Sequence, residues 1–419
     1  MCNYTGNQSE GVDKLDLIFS NCVVEFRPEN NWKGEYGFDW LRRGDYEEII
    51  NERKISSDYK NIVINYESLK SEYPRLRYYN LDEKKYESYY SPSISLYYES
   101  TKENSKCLPN VMLYEKNGVN YLKEHCITEA TIRIRIYAEN VEKIKFEYDK
   151  KSLEVLPDTI ENVPDGWSED TITIKYIFDG FNDNYKEIKA IAYFKKESIV
   201  TNNSSGWISR ACAGQVNVVK CIPKKIEVCF VMILSKFNKG IQKPSAVNVK
   251  KDKELLCKYL AQANVIPDID VVVFPSDKQA ELNRILERYK VRDKNCGYGI
   301  KMSDNDSLRT ELDELYLGRN RDGNIQYGER YYLYIINEFA DCGGRAPVPG
   351  HSAIVFKKSS DDCTICHELL HCLGLNHSFS NESKHVFAKK QTSNIMDYTN
   401  GYTLWKWQWK QINDVVNQY

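Results

Sequence analysis

The sequence predicts a multi-domain chain: a β-rich N-terminal region that includes a small β-sandwich, then an α/β domain built on a mixed five-stranded sheet. Three observations predict it. The chain has 419 residues, and at roughly 100–200 residues per domain that length gives two or three domains with cores of their own. From about residue 122 to 222 apolar and polar residues alternate strictly, the pattern of strands with one wet face. Beyond about Pro223 apolar runs alternate with segments of helical spacing, as expected of strands and helices laid in turn on a mostly parallel sheet.

Taken in order, residues 1–121 are rich in Tyr, Glu, Lys and Asn, and short alternations at Ile62–Tyr66 and Ser93–Tyr98 predict strands. The second segment, 122–222, carries period-two runs at Thr131–Tyr137, Lys143–Tyr148, Thr171–Tyr176 and Glu187–Tyr193. Turn signals at Pro157, Pro164-Asp165-Gly166 and Asn182-Asp183-Asn184 separate them, and the set reads as an immunoglobulin-like β-sandwich that binds or spaces. The third segment, 224–419, opens with Ile226–Leu234, apolar enough for a strand buried on both faces. Helix Asp252–Asn264, strand Ile269–Phe274, helix Lys278–Tyr289 and strands Tyr331–Phe339 and Ser352–Phe356 follow, and Leu404–Val416 has the amphipathy of a closing helix.

Composition removes several classes of function. With 58 Lys+Arg against 60 Asp+Glu, the net charge of −2 does not suit a nucleic-acid partner. A mean hydropathy of −0.59 and the lack of any run of about 18 apolar residues predict no membrane span. The 31 Tyr, 14 Phe and 7 Trp are too many for an unfolded chain. No basic stretch precedes Leu15–Phe19, which Asp16 interrupts, so no secretory signal peptide is expected. That leaves a cytoplasmic protein, one exported by a route needing no such peptide, or a shortened chain. The 13 scattered cysteines read mostly as buried thiols. Cys363-x-x-Cys366 is either half a zinc site, a redox pair, or apolar filling in the first turn of a helix.

Chemistry concentrates in residues 367–377, which read H-E-L-L-H-C-L-G-L-N-H and hold three of the six histidines. His367 and His371, four apart, project from one helix face and can grip one metal ion. Glu368 lies beside them on the next face, placed to take a proton from water at the metal without being a ligand. Gly374 permits a positive φ that ends the helix and returns His377 as a third nitrogen ligand. Three ligands leave a coordination position open, as catalytic zinc requires. By composition alone such a match arises on the order of 10⁻⁵ times in a chain of this kind.

This extended motif resembles that of the metzincin zinc metallopeptidases, and Ser393-Asn394-Ile395-Met396-Asp397-Tyr398 resembles their Met-turn, with Met396 19 residues past His377. The resemblance covers about Lys224 to Tyr419. It implies one catalytic Zn²⁺ on His367, His371 and His377, with Met396 as a hydrophobic floor and Tyr398 as a ligand or a donor to the tetrahedral intermediate. It also implies that the glycine- and proline-rich stretch from Gly343, with Gly344, Arg345 and Ala346, supplies or flanks the edge on which an extended substrate adds, unless it is a surface loop. Ser378 is similar to matrixins whereas Tyr398 is similar to astacins and serralysins, so the subfamily stays open. There is no PRCGxPD-type cysteine switch.

A second, weaker resemblance rests on Asn31–Asp45 (NWKGEYGFDWLRRGD), which is similar to the N-terminal region of bacterial effectors with varied C-terminal enzymes. It implies that residues 1–222 dock on a secretion apparatus. The expected function is therefore a zinc-dependent endopeptidase acting on a protein or peptide substrate, with Glu368 as general base, in an exported effector or toxin. The alternative is a β-module binding protein whose zinc domain is inert or acts on something other than peptide.

Overall fold

A computed structural model of the chain describes residues 17–19, 21–44, 48–50, 53–56, 58–80, 85–96, 115–116, 119–120, 128–177, 185–195, 210–220, 223–235, 237, 246–293, 297–302 and 306–417. It is mixed α/β, with several sheets and more strand than helix. Its contacts divide it into two units that do not run consecutively: residues 1–31, 73–93 and 129–219, and residues 32–72, 94–128 and 220–419. Residues 32–72, read from sequence with the N-terminal segment, thus group with the zinc motif.

In the first unit, Glu129–Ala138 alternates buried and part-exposed positions along its length, with Ile132, Ile134 and Ile136 all buried. Each buried isoleucine contributes about 1.5–3 kcal/mol. The strand pairs antiparallel with Gly166–Tyr176 and with Cys22–Pro28. A second sheet carries Val141–Glu147, Tyr185–Phe194 and Arg210–Lys220. Leu17–Phe19 joins it in parallel between Arg210–Lys220 and Arg75–Asn80. The two sheets meet through Phe26 and Phe146, whose ring centroids lie 6.3 Å apart. At Gly214 a Cβ would stand 2.1 Å from the Val24 carbonyl oxygen, so only glycine allows that approach.

The second unit holds a five-stranded sheet in the order Val265–Val273, Lys224–Ile233, Arg330–Ile336, Ser352–Phe356 and Gly344–Arg345. The first four strands are parallel and the last is antiparallel. The middle strands are buried on both faces: Phe230, Val231, Leu333, Tyr334, Ile354 and Val355 have no exposure. Helices Gln279–Tyr289 and Ser307–Leu317 cover the sheet through Leu282, Leu286, Leu308 and Leu312. Helices Ala246–Ala261, Thr364–Cys372 and Lys406–Val416 complete the unit. Among the described residues no helix is long and apolar enough to cross a membrane.

The alternation at Ile62–Tyr66 does not make a strand. Asn65 accepts a hydrogen bond from the Ser68 amide at 3.0 Å and starts the helix Tyr66–Lys70, a cap that outweighs β-branched neighbours. Ser93–Leu96 is a strand, and residues 97–98 lie outside the described ones. Sequence reading missed the helix Ser307–Leu317, whose fully buried Asp313 ties it to the sheet. Its carboxylate accepts from Ser352 Oγ and Arg309 at 2.7 Å and from Tyr327 and Tyr334 at 2.9 Å. Asp313→Ala takes the acceptor from Tyr334, Tyr327 and Ser352 and leaves Arg309 with only Asp306, at 3.7 Å, as ion-pair partner, a loss of about 3 kcal/mol. A fall of about 10 °C in melting temperature is the expected result by thermal circular dichroism, and a change under about 2 °C would refute it.

Candidate metal centre

The helix Thr364–Cys372 is buried throughout, which is why its sequence, TICHELLHC, is apolar between its functional groups. His367 and His371 project from one face, and their Nε2 atoms lie 3.1 Å apart. Gly374 then takes φ +90°, and its amide donates to the His371 carbonyl at 2.9 Å. The chain turns sharply there. His377 arrives with its Nε2 3.1 Å from the Nε2 of each of the other two, its ring stacked on Phe379 at 5.0 Å. A Cβ on Gly374 would meet Val415 at 2.9 Å, so the turn is fixed by space as well as by φ.

Proton positions follow from the backbone. His367 Nδ1 faces the Ile395 carbonyl at 2.9 Å and His371 Nδ1 faces the Leu375 carbonyl at 2.7 Å. A carbonyl only accepts, so each Nδ1 carries the hydrogen and each Nε2 presents a lone pair. Burial pushes the His367 and His371 imidazoles below their usual range and His377 to about 4, so all are neutral near pH 7. Converging lone pairs repel unless a cation sits between them. Nitrogens about 2.0–2.1 Å from a tetrahedral zinc stand roughly 3.3 Å from one another, close to the spacing here. The donor set fits a metal, and among the described residues it is the one such group of His, Cys, Asp or Glu.

Glu368 is buried beside the histidines, and its Oε2 has no hydrogen-bond partner among the described residues. Burial raises its carboxyl to about 8, against the opposing pull of Arg345. A cation on the nitrogens lowers it again, because opposite charge favours the carboxylate. The edge strand Gly344–Arg345 passes directly over this side chain. A Cβ on Gly344 would lie 2.7 Å from Glu368 Cγ and 2.8 Å from Oε1, so glycine is required there. Edge strand, histidines and Glu368 line one cleft of about 520 Å³.

Tyr398 closes the other side. Its hydroxyl sits 3.0 Å from His377 Nε2, its ring packs on Phe379 at 5.1 Å, and it is half-exposed. Burial, then the charge of Glu368, raises its phenol, which stays protonated. Met396 is fully buried next to Ile395, and its carbonyl accepts from Ser378 N at 3.0 Å. Of the residues singled out in the sequence, His367, Glu368, His371, His377, Tyr398 and Gly343–Ala346 line the cleft, and Gly374 and Met396 do not.

Asp397 was quoted in the motif without a role, and it organises the loop. Its carboxylate accepts from the amides of Lys390, Gln391, Thr392 and Tyr398 at 2.7–3.0 Å and from the Thr392 hydroxyl. A lone aspartate in a turn gives no such signal in sequence. Cys363 borders the cleft, while the described histidines outside the motif lie elsewhere. His351 stacks against Tyr327 and Tyr331, His385 meets Glu72 at 3.1 Å, and Cys363 and Cys366 are buried free thiols.

No family model matches the chain, and no curated protein matches it. Solved structures similar to parts of it include the following three. A chaperone–substrate complex aligns at 12% identity and TM-score 0.26, over 58% of this chain and 38% of that one. Metalloproteinase-II from Bacteroides fragilis aligns at 10% identity and TM-score 0.28, over 84% and 96%. A FixG-related protein from Vibrio parahaemolyticus aligns at 11% identity and TM-score 0.17, over 26% and 93%. The chain thus spans well under half of the first of these and nearly all of the other two. Likenesses of this strength carry no argument, and the functional reading rests on the site.

Proposed function

We propose that the chain is a zinc-dependent endopeptidase of metzincin type, with its chemistry in residues 224–419. One observation carries the reading: a buried carboxylate oxygen without a hydrogen-bond partner among the described residues, beside three converging imidazole nitrogens, in a cleft bordered by a strand edge. Zinc on those nitrogens supplies Lewis acidity, polarising a carbonyl oxygen and easing the ionisation of water near neutral pH. An extended peptide pairs along the outer side of the edge strand Gly344–Arg345, which brings a backbone carbonyl over the histidines. Glu368 takes a proton from the attacking water and returns it to the leaving amine, so the C–N bond breaks after the C–O bond forms. Tyr398 donates its phenol hydrogen to the carbonyl oxygen as negative charge develops there. Tyr398→Phe should therefore lower kcat by about 10²-fold with zinc retained; unchanged kcat on a fluorogenic peptide would remove Tyr398 from the scheme.

The two sheets of the first unit support reading it as a sandwich that binds or spaces. The residues behind the effector resemblance have packing roles within the second unit. Trp32 lies edge-on to Tyr402 at 5.7 Å, and at Gly34 a Cβ would meet the Tyr402 carbonyl oxygen at 2.4 Å. We assign them no export role. The test is digestion of an unstructured protein by the zinc-loaded chain, with and without a chelator. Cleavage that the chelator stops is expected, whereas intact substrate beside zinc-loaded protein returns the chain to the class of binding proteins.

A further inference from the structure

The carbonyl that orients His367 belongs to Ile395, on a loop whose own anchors lie more than 320 residues earlier in the chain. Three backbone hydrogen bonds hold this loop to the segment 56–64: Ser56 N to Gln391 O at 3.0 Å, Ala388 N to Ile62 O at 2.7 Å, and Ile64 N to Val386 O at 3.0 Å. Side chains complete the link. Tyr59 packs on Phe387 at 5.1 Å and accepts from Trp405 Nε1 at 3.0 Å. Arg42 is 2% exposed, with its guanidinium 3.8 Å from the Trp40 ring and 5.1 Å from that of Tyr59. Its Nη2 donates to Ser393 Oγ at 3.2 Å, two residues before Ile395. Burying a guanidinium is costly and is tolerated only with well-made contacts. Here the contact points at the loop that aims a metal ligand.

We propose that Ser56, Tyr59, Ile62 and Ile64 brace the metal-binding loop, and that Arg42 is a positioning residue for the metal centre acting through Ser393 and the Ile395 carbonyl. The inference rests on the metal-site reading and adds to it. The centre is completed by a segment far outside the zinc motif, so residues 224–419 alone do not set its geometry. Groups that orient a ligating histidine typically change metal affinity by 10–100-fold, and Arg42 acts on such a group through the loop, two residues before Ile395.

Zinc dissociation constants from chelator competition on the full chain test this, together with the melting temperature of the zinc-free protein. Arg42→Ala and Ser393→Ala are compared with Leu282→Ala, a buried core truncation on the helix Gln279–Tyr289. The brace predicts that both Arg42→Ala and Ser393→Ala weaken zinc binding at least tenfold at a temperature where the zinc-free protein is folded. Leu282→Ala lowers the melting temperature and leaves the dissociation constant within about twofold. Arg42 and Ser393 variants that behave like Leu282→Ala would overturn the brace. Should Arg42→Ala fail to fold, the smaller Ser393→Ala decides alone. A parent chain that does not bind zinc removes the metal-site reading and the brace with it; a parent that binds while the variants bind equally removes the brace only.

Discussion

Glu368→Gln should reduce peptide hydrolysis by about 10²–10⁴-fold, the range a positioned general base contributes, and leave zinc bound. The side chain touches no ligand nitrogen, and glutamine keeps its shape, so neither the metal nor the fold has reason to change. Glutamine cannot accept the water's proton. The pH profile carries the same information. A base must be deprotonated to act, so activity rises with pH through the Glu368 pKa. Burial sets that near 8 without a cation, and a bound cation lowers it. The rising limb therefore lies below pH 8 in the parent and is absent from Glu368→Gln. A variant that cleaved at the parent rate, with the limb intact, would exclude Glu368 as the base.

His371→Ala should weaken zinc binding by at least about 100-fold, beyond the 10–100-fold effect of outer partners, and abolish hydrolysis. The His371 Nε2 lies 3.1 Å from that of each of the other two, and among the described residues there is no second group of His, Cys, Asp or Glu that could hold the ion. Zinc content after dialysis, by atomic emission, is the readout, and stoichiometric zinc in the variant would contradict the assignment. Acid should mimic the mutation. Protonated imidazole cannot ligate, and His377 in the free site titrates at about 4, so zinc is retained at neutral pH and lost as pH falls toward that value.

The site was legible in sequence because its spacing is local. His367, Glu368 and His371 sit on one helix, Gly374 turns it, and His377 follows within a few residues. A helix period and a positive φ suffice to place them. The strands Lys224–Ile233 and Glu129–Ala138 were legible for the same reason, since burial on two faces or one writes itself into the pattern. What could not be read is what depends on distant partners. Asp313 finds Ser352 39 residues away. Arg42 meets Ser393 across 351 residues, a pairing that no periodicity encodes. Asp39 accepts from the Lys406 amide at 2.9 Å and so caps a helix from 367 residues away. Within the distinctive stretch, Trp32, Gly34 and Asp39 meet the C-terminal part of their own unit, at Tyr402 and Lys406.

X-ray absorption at the zinc edge on the full chain, loaded with one equivalent of metal and freed of excess, tests the centre most directly. The account predicts one tightly held zinc per chain with three histidine nitrogens at about 2.0–2.1 Å and a further light scatterer. Sulfur at about 2.3 Å, which would move the metal to the cysteines, or no retained zinc would contradict it.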